Sequence, residues 1–301
     1  MSRFLVTGGA GFIGSNLVKD LIKRHEIIVI DDMSSGSFEN LKEIKDRITF
    51  IKANAGDALK ISPEGLDGIF HLGTTASSIF FRDDRSLAGQ AIVEFTSLLE
   101  LAKRENCKLV YASTSSIYNG NKTPYKETQL IHIADFYSEV RYYFERLSQL
   151  YYNMYGTKSI GLRFFSVYGP SEEHKKDRAN LVSQFLWAMQ KGESPVIWGD
   201  GKQERDFIYV GDVISGMKMA MQSKVKHDVF NIGTGKSYPL NKLVTILNKV
   251  LGQCISAVRI ENPLKDRAYF ATYHKADITK AKKQLGFTAK VSLEEGIKKL
   301  L

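Results

Sequence analysis

The chain has 301 residues, of which 43% are apolar, 25% charged and 11% aromatic, with 24 glycines, 6 prolines and 2 cysteines. Collagen-like and disordered chains are excluded by this composition, and a miniprotein stapled by disulfides or metal is excluded by the length. Lys and Arg total 42 against 33 Asp and Glu, a formal charge of +9; because the cations are interleaved with acids, as around Lys42, Lys45 and Arg47, neither nucleic acid nor a membrane is expected as a partner.

In chain order, the first residues run Met1-Ser2-Arg3 and then into glycines at 8, 9 and 11, too early for a signal peptide, and no apolar run reaches the roughly 20 residues of a spanning helix. A cytoplasmic location is therefore expected. Short β-branched runs predict strands at 3–7, 27–31, 48–52, 68–72, 108–113 and 159–165. Between them, Ile13-Leu17-Val18-Leu21-Ile22 and Ile92-Val93-Phe95-Leu98-Leu99-Leu101-Ala102 carry the spacing of helices that bury one stripe. Strands alternating with helices make an α/β protein built on a doubly wound parallel sheet of the Rossmann type. After Gly169-Pro170 come a charged loop from Ser171 to Arg178, a helix from Leu181 to Lys191, short strands near 196–198 and 229–231, and helices near 240–251 and 292–300. These predict a dinucleotide-binding domain over 1–170 and a smaller substrate-binding lobe over 171–301, woven into the first. Cys107 and Cys254 stand isolated and read as reduced thiols, and no metal site is expected.

Residues 8–14 hold overlapping glycine patterns: Gly9, Gly11 and Gly14 give G-x-G-x-x-G, and Gly8, Gly11 and Gly14 give G-x-x-G-x-x-G. A strand leads in and a helix leads out, so the glycines permit a tight turn and aim a helix N-terminus at a pyrophosphate. The second strand ends in Asp31, 20 residues after Gly11. An acid there is suited to a ribose 2′-OH and repels a 2′-phosphate, which favours NAD over NADP.

Six ordered segments carry a closer resemblance: Thr7–Gly14, Asp31–Gly36, Phe70–Gly73, Tyr111–Tyr118, Arg163–Pro170 and Arg205–Asp212. Together they resemble the extended short-chain dehydrogenase/reductase family, in particular its NAD-dependent nucleotide-sugar epimerases of the UDP-glucose 4-epimerase type. That resemblance implies cofactor contacts from Gly8, Gly11, Phe12, Ile13, Gly14, Asp31, Asp32, Ser35 and Gly36, from Asn54 or Asp57 beside the adenine, from the Leu72-Gly73-Thr74 turn, and from Ser113. The family's Tyr-x-x-x-Lys pair has its counterpart in Tyr137-Ser-Glu-Val-Arg141, with Arg in place of Lys. The i, i+4 spacing puts both side chains on one helix face, and a cation beside a phenol favours the phenolate. Thr114 matches the strand-end hydroxyl, flanked by Ser113 and Ser115.

Where the family's dehydratases resemble Thr-Asp-Glu, this chain reads Thr114-Ser115-Ser116, so elimination lacks its acid and base. Hydride transfer remains, and the implied activity is 4-epimerisation of a UDP-hexose through a 4-keto intermediate. Alternatives are a nucleotide-sugar reductase, an epimerase of a non-UDP sugar, and an NAD-binding regulatory protein without catalysis. Asn180, Leu181, Arg205 and Arg267 are expected on the nucleotide-diphosphate sugar, with Thr114 and Ser115 on the sugar itself. The helices near 86–105 and 136–155 are apolar on more than one face. The resemblance implies that they form the contact of a homodimer.

Overall fold

A computed structural model describes residues 1–75, 78–261 and 273–301. Its first part runs β1 (Arg3–Thr7), α1 (Phe12–Leu21), β2 (Glu26–Asp31), β3 (Thr49–Lys52), α2 (Ala58–Ile61), β4 (Gly68–His71), α3 (Ser78–Asp83), α4 (Ser86–Arg104), β5 (Lys108–Thr114), α5 (Phe136–Tyr155) and β6 (Ser159–Phe164). The second part holds β7 (Ser166–Tyr168), α6 (Leu181–Gln190), β8 (Val196–Trp198), β9 (Glu204–Arg205), β10 (Phe207–Tyr209) and α7 (Val210–Gln222). It continues through β11 (His227–Ile232), β12 (Tyr238–Pro239), α8 (Leu240–Leu251), β13 (Val258–Ile260), α9 (Thr279–Leu285) and α10 (Leu293–Lys298).

Seven strands form the central sheet in the order β11-β6-β5-β4-β1-β2-β3, every pairing parallel. Both faces are covered, which explains why Ile27, Ile28, Val29 and Ile30 are all buried in an unbroken apolar run. Alternate residues serve opposite cores. Phe4, Val6, Ile27 and Val29 pack with Leu17 and Val18 of α1 and Val213 and Met217 of α7. Leu5, Ile28 and Ile30 face Phe95, Leu98 and Leu99 of α4 and Phe144 of α5.

One expectation is corrected here. The strand near 229–231, assigned to the second lobe, is β11, the edge strand of the main sheet. It pairs Phe230 with Leu162 and Ile232 with Phe164, and these two residues join the core shared with Val213, Met217, Leu285 and Phe287. The remaining C-terminal elements share their own core, in which Val182, Phe185 and Met189 of α6 meet Leu243 and Leu247 of α8 and Leu293 and Ile297 of α10. Among the described residues, no helix is long and apolar enough to cross a membrane.

Strand order reverses direction around β1, whose neighbours are β2 and β4. A crevice opens outside the carboxyl ends of strands at such a point. Its second wall is built by the segments that follow β6.

Candidate active site

The crevice is a cleft of about 1000 Å³. Its floor is the turn between β1 and α1. There Gly8 has φ +70°, and a side-chain carbon on it would lie 2.4 Å from the Gly73 nitrogen; one on Gly14 would lie 2.0 Å from the Gly8 carbonyl oxygen. Only glycine lets the loop close this tightly against both β4 and α1. Gly8 N–H donates to Ile30 O and Gly11 N–H to Gly8 O, at 2.9 and 3.1 Å. Gly11 caps α1 without a side-chain hydrogen bond, and no acid occupies the first turn. An uncapped helix start of this kind fits the pyrophosphate of a dinucleotide.

Asp31, at the end of β2, accepts from Ala10 N–H at 2.8 Å and from Met33 N–H at 2.9 Å. Burial pushes its pKa up, and those two bonds pull it back. Asp32 accepts from the backbone and hydroxyl of Ser34. Phe12, Ile13, Ser35, Gly36, Leu72, Gly73 and Thr74 also line the cleft, together with both aspartates and the glycines. Asn54 and Asp57 are not on its wall. The turn at Ala55–Asp57 presents Ala55 instead, while the Asn54 side-chain Oδ1 accepts from Gly56 N–H at 2.9 Å. Glu94 takes a place there that the sequence reading did not assign. Burial raises its pKa, and the Asn54 and Gln90 side chains hydrogen-bond it. Its signal was an acid inside the apolar stripe of α4.

At the far end of the cleft, β5 ends on Ser113 and Thr114. The Thr114 hydroxyl accepts from Ser116 N–H at 3.1 Å and starts the turn that carries Ser115. The helix α5 starts on Asp135, which accepts from Ser138 N–H at 2.7 Å, and brings Tyr137 and Arg141 to the same wall. Arg141 is 4% exposed. Its Nη1 donates to Ala112 O at 2.8 Å, its Nη2 donates to Thr75 O at 3.3 Å, and its guanidinium carbon lies 5.4 Å from the centre of the Tyr137 ring. Its buried Nε has no hydrogen-bond partner, and among the described residues no carboxylate bridges it. Burial lowers the Arg141 pKa, opposed by Tyr137. Among the described residues, no acid neutralises the charge beside the phenol.

Behind this pair, Ser113 Oγ donates to Glu145 at 2.5 Å, and Glu145 is bridged by Arg163 at 2.9 and 2.6 Å. His71, fully buried, lies with Nδ1 2.7 Å from Thr7 Oγ1. Burial and the Arg141 charge push its pKa down to about 3. An unfolded imidazole titrates near 6.5, so the folded state disfavours the proton; the stability is complete above that pH and is lost as the pH falls from 6.5 towards 3, by about 1.4 kcal/mol per pH unit. Urea midpoints should fall less between pH 7 and 5 in His71→Asn than in wild type. Equal slopes would remove His71 from the account.

On the opposite wall, Asn180 caps α6 by accepting from Val182 N–H at 3.0 Å, and Arg205 donates to Glu204 O at 2.8 Å; both line the cleft. Leu181 does not, and packs against the core of α6 and α8. Arg267 lies outside the described residues. Among the described residues, four basic side chains on the wall were not among the expected contacts: His174, Lys175, Arg178 and His274. The first three lie in the charged run after Pro170, where Lys175 bonds Glu172 at 2.7 Å and Arg178 covers the Phe80 ring at 4.5 Å. That run was the available signal; His274 had none.

Residues 4–233 match the model of a family described as the NAD dependent epimerase/dehydratase family. A putative UDP-glucose 4-epimerase of Methanocaldococcus jannaschii is 32% identical over 99% of this chain and 96% of its own length. UDP-glucuronic acid decarboxylase 5 of Arabidopsis thaliana is 30% identical over 98% of this chain and 87% of its own. Among solved structures, UDP-glucose 4-epimerase of Thermotoga maritima with UDP-glucose superposes with a TM-score of 0.91, at 34% identity, over 99% of this chain and 96% of that one.

Proposed function

Because the chain belongs to the NAD-dependent epimerase/dehydratase family, we propose that it is a nucleotide-sugar epimerase acting at C4 of a UDP-hexose. The observation that carries this reading is the convergence of Thr114, Tyr137 and Arg141 on one wall of the glycine-loop cleft, with Ser115 and Ser116 where an elimination would need carboxyl groups.

Bound NAD supplies a hydride acceptor and donor. Gly8, Gly11, Gly14 and the start of α1 would hold its pyrophosphate and Asp31 its ribose, while Glu94 lines the same cleft with Asp32 among its charged neighbours. The Tyr137 oxygen, on the ring that lies 5.4 Å from the Arg141 guanidinium carbon, takes the proton of the C4 hydroxyl as the sugar becomes a 4-keto compound. Thr114 hydrogen-bonds the same sugar oxygen and holds it in line. After the keto sugar turns over, C4 regains a hydride on its other face, Tyr137 returns the proton to the C4 oxygen, and the inverted sugar nucleotide is released. Arg205 and Asn180 take the diphosphate, since a guanidinium fork suits paired phosphate oxygens.

A second reading, an epimerase of a non-UDP nucleotide sugar, is favoured by the cations Lys175 and Arg178 on the wall beside His174. In either case the reading takes the enzyme as cytoplasmic and as a homodimer through α4 and α5. Val93, Leu150, Met154 and Tyr155 of those helices are 66%, 50%, 59% and 50% exposed, and that apolar surface supports the pairing.

The test is a proton NMR time course of the anomeric region with NAD and a panel of UDP-hexoses, UDP-N-acetylhexosamines and UDP-hexuronic acids. Interconversion of one gluco/galacto pair is expected. A pentose product from UDP-glucuronic acid would make the protein a decarboxylase. Net consumption of reduced cofactor would make it a reductase, and binding without turnover a regulatory protein.

A further inference from the structure

His274 is 7% exposed and stands on the cleft wall with Asn119 and Arg205. The backbone on either side of it is pinned. Tyr125 donates its hydroxyl to Tyr273 O at 2.9 Å and its N–H to Lys275 O at 2.8 Å, and Ala276 N–H reaches the buried Asp206 at 3.1 Å. The ring itself meets Tyr125 edge-on at 5.0 Å and Phe165 at 5.7 Å. This imidazole is therefore a fixed part of the wall.

Burial and the Arg205 charge push its pKa down to about 3, so at neutral pH it carries one ring proton. Its Nε2 lies 3.2 Å from Asn119 Oδ1, an acceptor, which places that proton on Nε2 and leaves a lone pair on Nδ1. Among the described residues Nδ1 has no hydrogen-bond partner, and it is not among the buried orphan atoms. A histidine kept only for packing would satisfy both nitrogens internally. This one has an acceptor left over, in a cleft, between Arg205 on one side and the turn from Thr114 to Asn119 on the other.

We infer that His274 is a specificity-determining residue whose Nδ1 accepts a hydrogen bond from a donor-bearing substituent of the sugar, a hydroxyl or an amide N–H, lying between the diphosphate and the reacting carbon. The inference rests on the nucleotide-sugar reading above. Because the imidazole is neutral, it adds no charge to the diphosphate contact of Arg205, and its contribution falls on the sugar alone.

Calorimetric titration of the NAD-loaded protein with UDP and with UDP-glucose separates these terms. His274→Ala should weaken UDP-glucose about tenfold, the scale of one hydrogen bond, while leaving UDP within about twofold. His274→Gln, which restores a carbonyl acceptor, should recover part of the loss. Equal losses for both ligands, or no loss for either, would overturn the assignment. NAD affinity checks the fold of each variant, and the Gln variant carries the comparison if Ala does not fold. Wild-type protein that binds neither ligand would overturn the UDP-sugar reading itself, and this inference with it, before any variant is compared.

Discussion

Tyr137→Phe lowers the epimerisation rate at least a hundredfold while leaving NAD affinity within a few fold. The substitution removes one oxygen and keeps the ring that lies 5.4 Å from the Arg141 guanidinium carbon, so the cation–π contact and the packing against Phe81 persist. What is lost is the group that exchanges a proton with the sugar, and general acid–base catalysis of that kind contributes roughly 10² to 10⁴ in rate. Single-turnover rates on the substrate found by NMR, with NAD affinity measured alongside, provide the check. An unchanged rate would transfer the proton to another group and sink the mechanism. Arg141→Lys is the informative companion. Arg141 spans from Tyr137 to both Ala112 O and Thr75 O, and an ammonium cannot reach both carbonyls with a planar fork.

The second large effect is on stability. Arg163 and Glu145, 4% and 5% exposed at their side chains, form a doubly bonded ion pair inside the protein, extended by Ser113 on one side and by the Tyr118 hydroxyl and Asn231 on the other. Glu145→Ala leaves the guanidinium buried with a phenol as its polar partner, and breaking such a pair costs about 3–5 kcal/mol. Urea denaturation should show that loss directly. The double variant Glu145→Leu, Arg163→Met should be less destabilised than the single one, because no uncompensated charge remains. A loss below about 1 kcal/mol for Glu145→Ala would mean that water reaches the pair and would contradict its burial.

The parts of this protein that were legible in the sequence are those whose signal is local. Strands β1, β2, β4, β5 and β6 announce themselves because both their faces are buried and their apolar runs are continuous, whereas β3 at the sheet edge is half-exposed. The glycine turn and Tyr137 with Arg141 are fixed by spacing along one element. β11 was legible as a strand but not as a member of the sheet: it begins His-Asp-Val, half exposed, and its partner β6 lies more than sixty residues earlier. Asn54 and Asp57 were expected at the wall because their segment resembles a cofactor-binding one. The structure seats Ala55 there, since a short turn decides which side chain faces inwards. Glu94 and His274 reach the cleft only through tertiary packing, α4 against the turn at 55–57 in one case and the Tyr125–Ala276 bridge in the other. Glu94 was marked only as an acid within the apolar stripe of α4, and no periodicity could have announced His274.

The position of β11 also bears on how such a protein can be cut, grafted or recombined. If the chain were divided near residue 170, the amino-terminal fragment would keep every group placed on NAD and on the transferred proton, yet its sheet would end at β6 with a bare row of backbone donors and acceptors and with Leu162 and Phe164 uncovered on one side. An unprotected edge of that kind invites pairing with other chains. The substrate lobe is therefore not a detachable module that could be exchanged to change the sugar. Inheritance and engineering must treat the two parts as one unit, with new specificity introduced by substitutions within the loops that line the cleft.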